Sequence, residues 1–503
     1  MPKIMPNVRL PLLEALTACS LKSHASFYAP GHKRGIGSAI ALTHLLGSQV
    51  FQADLPELPE LDNLFAPQGV IAEAQALAAQ TFGAERTWFL ANGSTCGIMA
   101  AILATCAPGE KIILPRNVHQ SAIAALILSG AIPVFVHPEY DPILDLAHSI
   151  TPETVAATLK QHPDAKAVLM VYPTYFGVCG DIAAIADLVH QYNLPLIVDE
   201  AHGAHFAFHA DLPMSALQAG ADLTVQSTHK TLSALTQASM LHVQGDRIDR
   251  DRVSQSLQLV QSTSPSYLLL ASLDAARGQM ATEGQELMDQ TLRLANEARS
   301  RLQAIPKLAT LNPEQATTSG FYALDRTRLT VTVSNLGIDG FTADEILHQQ
   351  LGVTAELPSL RHVTFIFSLG NTKADVDRLI AAWETLAADR LAKGVGNVLS
   401  GAVGVSMGGG ELLNGTQAMS PREAFFARSE MISIDQAGNF SDFGNANRIS
   451  AELVCPYPPG IPILMPGEYI TQDALNVLQY VLKSGGFITG CTDPTLKMLR
   501  VVQ

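Results

Sequence analysis

Charge is scarce in this chain. Asp, Glu, Lys and Arg make up 16% of its 503 residues, and aromatic residues only 6%. Against 47% hydrophobic residues, that scarcity excludes a disordered polar chain and fits a protein with a large buried core, more than one domain's worth at this length. Positive charge is scarcest: 32 Lys and Arg face 46 Asp and Glu, for a formal net charge of -14. So acidic a surface repels phosphates, so no nucleic-acid partner is expected. Six cysteines occur, with no CxxC pair and no zinc-like spacing, which argues against a disulfide framework. No apolar run is long enough to cross a bilayer, which takes about 20 residues; the longest, Ala122 to Val136, is broken by Ser129, Gly130 and Pro133. The first residues carry Lys3, Arg9 and two prolines and no apolar leader core. The expectation is a cytoplasmic protein without a membrane partner.

What is present is a regular alternation. From about 70 to 245, short apolar strands alternate with helices: strands at Thr87–Leu90, Lys111–Leu114, Pro133–Val136, Ala167–Tyr172, Leu196–Asp199 and Leu223–Gln226, helices at Gly69–Phe82, Ser94–Cys106, Ser121–Ser129 and Ile182–Tyr192. Thr151-Pro152-Glu153 reads as an N-cap with Pro at the first helical position, and Ser420-Pro421-Arg422-Glu423 as a capping box. Such alternation predicts an α/β fold with a mostly parallel sheet covered on both faces, and its ligands bind beyond the carboxyl ends of the strands. After about 300 a smaller α+β region follows, with strands near Arg328–Val333 and Val363–Ser368. The glycine-rich stretch Gly394–Gly415 reads as a connector. The expected division is an N-terminal arm over 1–60, a large domain over 61–300, a small α+β region over 301–390 and a C-terminal domain over 391–503.

The strand ends carry the chemistry. Lys230, in Ser227-Thr228-His229-Lys230, follows an apolar strand, and a lysine amine there can form an imine with an aldehyde cofactor. Asp199 ends another strand, 31 residues earlier. A buried carboxylate needs a partner, and a pyridinium N–H keeps it charged while the ring stays protonated. Asn92-Gly93-Ser94-Thr95 joins a strand to a helix, and its hydroxyls with the helix N-terminus suit a phosphate. It lacks the lysine of a nucleotide-hydrolysing loop. His119, in Arg116-Asn117-Val118-His119, follows a further strand, where an imidazole can stack on a cofactor ring. A metal hydrolase built on His202, His205 and His209 with Asp199 and Glu200 is a competing reading, although the segment starts at a strand end rather than on a helix.

With these motifs the chain resembles the Orn/Lys/Arg decarboxylases of the aspartate-aminotransferase-like fold (fold type I). The resemblance covers nearly the whole chain and rests on PGHK (Pro30–Lys33), LDNL (Leu61–Leu64), NGST (Asn92–Thr95), RNVHQS (Arg116–Ser121), VYPTYFG (Val171–Gly177), VDEAHGAH (Val198–His205), QSTHK (Gln226–Lys230), SPREAF (Ser420–Phe425) and PYPPGIPILMPGE (Pro456–Glu468). It implies pyridoxal 5′-phosphate (PLP) on Lys230, Asp199 paired with the ring nitrogen, and His119 stacked on the ring. It further implies Ser94, Thr95, Ser227 and His229 at the phosphate, and His202 beside the ring near its phenolic oxygen. The start of PGHK at residue 30 resembles the short form, without the N-terminal wing domain of long bacterial members.

The implied reaction is decarboxylation of a basic amino acid, in the order arginine, lysine, ornithine, in a homodimer or higher homo-oligomer with active sites at the interface. Lys230 and His119 are the two candidates for returning the proton to the α-carbon. Glu468 is the candidate partner for the substrate's distal cation. An aminotransferase or aldolase on the same fold is the alternative, because fold alone does not fix the reaction.

Overall fold

The computed structural model describes residues 8–393, 415–434, 448–457 and 460–503. Of the anticipated glycine-rich connector only Gly415 falls within these residues.

The expected strands form, with shifts of a residue or two at their ends: β1 (Arg86–Leu90), β2 (Lys111–Pro115), β3 (Ile132–Val136), β4 (Ala167–Val171), β5 (Leu196–Asp199) and β6 (Leu223–Gln226). A further strand, β7 (Ser239–Val243), completes a seven-stranded sheet in the order β1-β7-β6-β5-β4-β2-β3. The pairs β2–β3, β2–β4 and β5–β6 are parallel, whereas β7 runs antiparallel to both β1 and β6. Every residue of β5, β6 and β7 is buried, as expected of strands covered on both faces. β7 escapes the sequence pattern because it holds the polar residues Ser239 and His242; a buried hydrogen-bond chain described below satisfies the histidine.

The contacts divide the chain into two compact units that interleave in sequence. One comprises the chain up to Ala104 and Ile197–Asp289; the other comprises Thr105–Leu196 and everything from Gln290 onward. The boundary between Leu196 and Ile197 falls inside β5.

In the first unit, helix α1 (Val70–Phe82) is capped by Asp62 of the LDNL motif, whose carboxylate accepts from the backbone N–H of Gly69 at 2.7 Å and of Ile71 at 3.1 Å. Helix α2 (Gly93–Thr105) follows β1 and meets the sheet at Gly97, where a Cβ would stand 2.7 Å from both Leu90 Cδ1 and Val225 Cγ1. Glycine is therefore needed for the close approach of helix and sheet.

In the second unit, α3 (Gln120–Ser129) joins β2 to β3. A four-stranded antiparallel sheet follows in the order Ala309–Thr310, Arg328–Thr332, His362–Ile366, Leu357–Pro358, and packs Leu329, Val331, Val363 and Phe365 around the buried Trp383. The capping box at Ser420 forms, with Glu423 as its partner, and opens α4 (Pro421–Phe426). A separate apolar cluster gathers Val454, Leu464, Leu475, Leu478 and Leu499 around the helix Gln472–Lys483. Among the described residues no helix is long and apolar enough to cross a membrane.

Candidate functional site

Asp199 and Lys230 lie at the ends of adjacent strands in the first unit. Asp199 is the last residue of β5, 9% exposed, and its Oδ1 accepts from the Ala201 N–H at 3.2 Å. Burial pushes its carboxyl upward, against the opposing pull of the Lys230 charge and the Ala201 N–H. A carboxylate so situated lacks a full counter-charge and suits a protonated ring nitrogen. Lys230 follows β6 in a single helical turn, Thr228–Thr231, where the sequence pattern showed only a strand end. Its Nζ lies 3.0 Å from His202 Nε2, so the amine and an imidazole share one locus.

The proposed phosphate residues gather at the start of α2. Ser227 Oγ donates to Ser94 Oγ at 2.8 Å, which links the end of β6 to the helix N-terminus. Thr95 is exposed beside it. His229 Nδ1 stands 2.9 Å from the Ala238 carbonyl oxygen, which places its ring proton on Nδ1 and ties the Lys230 turn to the start of β7. Two hydroxyls at the N-terminus of a thirteen-residue helix fit a phosphate group. These first-unit residues therefore suit PLP at its aldehyde, ring nitrogen and phosphate.

Behind these strand ends runs a polar chain that sequence reasoning missed. Glu200 Oε1 accepts from Ala216 N at 2.7 Å, and Oε2 from Gln226 Nε2 at 2.7 Å. Gln226 Oε1 in turn faces His242 Nε2 at 3.1 Å, and His242 Nδ1 faces Thr87 Oγ1 at 2.8 Å. A carbonyl oxygen can only accept, so His242 carries its proton on Nε2 and receives the threonine hydroxyl at Nδ1. The chain joins β5, β6, β7 and β1, and all four side chains are buried. Burial pushes Glu200 up to about 8 and His242 down to about 3. The signal available in sequence was a glutamate next to Asp199 and a glutamine next to Ser227, both at strand ends.

The metal-site geometry does not assemble. His202 meets Lys230, and His209 Nε2 pairs with Asp289 at 2.8 Å. Among the described residues no group of three or more His, Cys, Asp or Glu is placed to hold a metal ion.

In the second unit, His119 is the N-cap of α3. Its Nδ1 accepts from the Ser121 N–H at 3.2 Å and faces Ser121 Oγ at 2.9 Å. Glu468 departs from expectation. Its carboxylate is 1% exposed and already holds a cation: Arg116 Nε donates to Oε1 at 3.1 Å and Nη2 to Oε2 at 3.0 Å. The Met465 N–H adds a third bond to Oε2 at 2.9 Å. A buried carboxylate bound bidentately by arginine is not an open acceptor for a substrate's distal cation, so the expectation for Glu468 is corrected.

Comparison with known proteins agrees with this geometry. The family described as Orn/Lys/Arg decarboxylase matches with its major domain over residues 10–375 and with its C-terminal domain over residues 414–490. An arginine decarboxylase of Bacillus subtilis is 41% identical over 488 residues, covering 96% of this chain and 96% of the relative. A lysine decarboxylase of Pseudomonas aeruginosa is 27% identical, covering 94% of this chain and 75% of its own length. Among solved structures, the lysine decarboxylase of Francisella novicida superposes with a TM-score of 0.82 at 22% identity, over 99% of this chain and 82% of that one. The ureidoglycine-glyoxylate aminotransferase of Bacillus subtilis superposes with a TM-score of 0.52 at 15% identity over 66% of this chain and 88% of that one.

Proposed function

The chain belongs to the Orn/Lys/Arg decarboxylase family and is a decarboxylase, and from that premise we propose that it acts on arginine, with lysine and ornithine as the next candidates, using PLP carried on Lys230. The products are carbon dioxide and the matching amine: agmatine, cadaverine or putrescine. The observation that carries this reading is the Lys230–His202 contact beyond β6, with Asp199 buried at the end of the adjacent parallel strand. The order of substrates rests on the 41% identity to an arginine decarboxylase over nearly the whole chain.

Bound PLP supplies an electron sink for the pair left on the α-carbon when carbon dioxide departs. Lys230 would hold the cofactor through its amine. Asp199 keeps a proton on the ring nitrogen, which a neutral residue would not do. Ser94, Thr95, Ser227 and His229, with the α2 N-terminus, would bind the phosphate, and the His229 Nδ1 contact with the Ala238 carbonyl also braces the turn that carries Lys230. His202 is placed to hold or move a proton at Lys230 Nζ. His119 stacks on the ring, on the strength of the resemblance. Lys230 and His119 remain the two groups from which the α-carbon can regain its proton.

The assembly is a homodimer or larger homo-oligomer. Support comes from the segment around the PGHK motif, where Phe27 and Ile36 are more than nine-tenths exposed and Ile40 and Leu45 largely so, an apolar surface that a monomer would leave in water. A cytoplasmic location accords with the acidic composition and with six cysteines that form no CxxC pair.

Purified protein supplied with PLP and given arginine, lysine or ornithine tests the reading. Release of carbon dioxide with the matching amine, fastest from arginine and needing no keto acid, is the expected result. Amino-group transfer to a keto acid without carbon dioxide would overturn it.

A further inference from the structure

Both C-terminal motifs grip one helix, and that helix begins at His119. At its N-terminal end, the Arg116 guanidinium hydrogen-bonds to the segment 460–468. Beyond the two bonds to Glu468, Nη1 donates to the Pro462 carbonyl at 2.9 Å and Nη2 to the Ile463 carbonyl at 3.1 Å. The Gln120 N–H, the first of α3, donates to the Gly460 carbonyl at 3.0 Å. Gly460 itself lies against the imidazole: a Cβ there would stand 3.0 Å from both Cδ2 and Nε2 of His119. At the other end of α3, Arg422 of the SPREAF motif donates to the carbonyls of Ile127 at 2.9 Å and Leu128 at 2.7 Å. These are C-terminal carbonyls that a helix cannot satisfy internally.

The two motifs are also tied to each other. The Ala418 N–H donates to the Gly467 carbonyl at 2.8 Å, and a Cβ on Gly467 would collide with the Met419 carbonyl. One bracket from the C-terminal region therefore spans α3 from end to end. The Ser121 amide holds the His119 ring at Nδ1, and the ring's Cδ2 and Nε2 edge faces Gly460, where no Cβ has room. Turning the ring about its own axis would break the Ser121 contact.

We propose that Arg116, Gly460 and Glu468 are positioning residues, through which the C-terminal segment fixes the orientation of the His119 ring for the reaction. This rests on the reading that His119 contacts the cofactor. It gives Glu468 a role its burial permits. The pair also explains why a carboxylate and an arginine far apart in sequence both occur within family motifs.

Three variants test it: Glu468→Gln, Arg116→Lys and Gly460→Ala. The last crowds the ring edge and strains a backbone at φ +87, without leaving a buried charge unpaired. Steady-state kinetics on arginine are measured alongside hydrogen exchange of the peptide covering residues 116–122. All three are expected to lower kcat by about 10- to 100-fold while KM moves much less, as for a misoriented group in the site. Exchange at Gln120 and Ser121 should quicken, and Glu468→Gln combined with Arg116→Lys should be no worse than the weaker single variant. Exchange reports on the bracket whether or not arginine is the substrate. Faster exchange in the variants, with a wild-type protein inactive on all three amino acids, would thus sink the functional reading and leave the bracket standing. Unchanged exchange in all three variants would overturn the bracket. So would a large rise in KM confined to Glu468→Gln, the pattern of a residue that holds the substrate.

Discussion

Lys230 Nζ and His202 Nε2 stand 3.0 Å apart. An ammonium can only donate, so with a protonated lysine the imidazole accepts at Nε2 and carries any proton of its own on Nδ1. His202 is therefore placed to follow the protonation of the lysine through the catalytic cycle. Replacing it with phenylalanine keeps the bulk and removes the nitrogen. We expect His202→Phe to lower kcat roughly 10²-fold, in line with loss of a positioned acid–base group, and to move the pH at which the visible absorption of the bound cofactor changes. An unaltered pH–rate profile and absorption titration would rule out this role.

Asp199→Asn removes the charge and keeps the shape. On the proposed role of Asp199, the ring nitrogen would then lose the partner that keeps it protonated, and electron withdrawal would weaken. The expected outcome is a fall in kcat of roughly 10² or more with a small change in KM, read by steady-state kinetics at saturating PLP. Activity within a few-fold of wild type would show that the carboxylate does not serve the ring.

The chain from Glu200 to His242 gives a pH signature of stability. Burial raises Glu200 to about 8, so the folded state favours its protonated form. That contribution is complete below the ordinary carboxyl range and is lost as pH rises from there through about 8, at up to about 1.4 kcal/mol per pH unit. His242, lowered to about 3, runs the other way: its contribution is complete above the ordinary histidine range and is lost as pH falls from there towards about 3. Urea unfolding of Glu200→Gln at several pH values should show a stability offset of about 1–3 kcal/mol from one N–H left without an acceptor. It should also show a flatter alkaline slope than wild type. Equal slopes in the two proteins would place the alkaline loss elsewhere.

Gly97→Ala tests how α2 is seated. The added methyl meets Leu90 Cδ1 and Val225 Cγ1 at 2.7 Å, and the valine cannot easily turn aside. Destabilisation of about 1–3 kcal/mol is expected, as for other overpacked cores. A weaker hold on inorganic phosphate or PLP should accompany it, because Ser94 and Thr95 ride on the same helix. A variant as stable as wild type would mean the helix relaxes freely.

Much of this was legible in the sequence, for reasons particular residues make plain. Buried parallel strands read as short apolar runs, so Leu196–Asp199 and Leu223–Gln226 were found to the residue, and the residues at their ends followed. The capping box at Ser420 was equally plain, because caps are local chemistry. Ser239–Val243 was not found, because its histidine is satisfied by a glutamine and a threonine from neighbouring strands. Glu468 was misread for a similar reason. A sequence displays the carboxylate but not the arginine that lies 352 positions away in the chain and against it in the fold. Polar groups whose partners are distant in sequence are the part that pattern cannot supply.

The account stands on Lys230 as the cofactor's residue, and peptide mapping tests it most directly. Holoenzyme is treated with sodium borohydride, which makes the bond between PLP and its lysine permanent, and is then digested and weighed fragment by fragment. The expected result is the mass of the reduced pyridoxyl phosphate on the peptide containing Lys230, and its disappearance together with all activity in Lys230→Ala. Label on another lysine, or an active Lys230→Ala enzyme, would contradict the account.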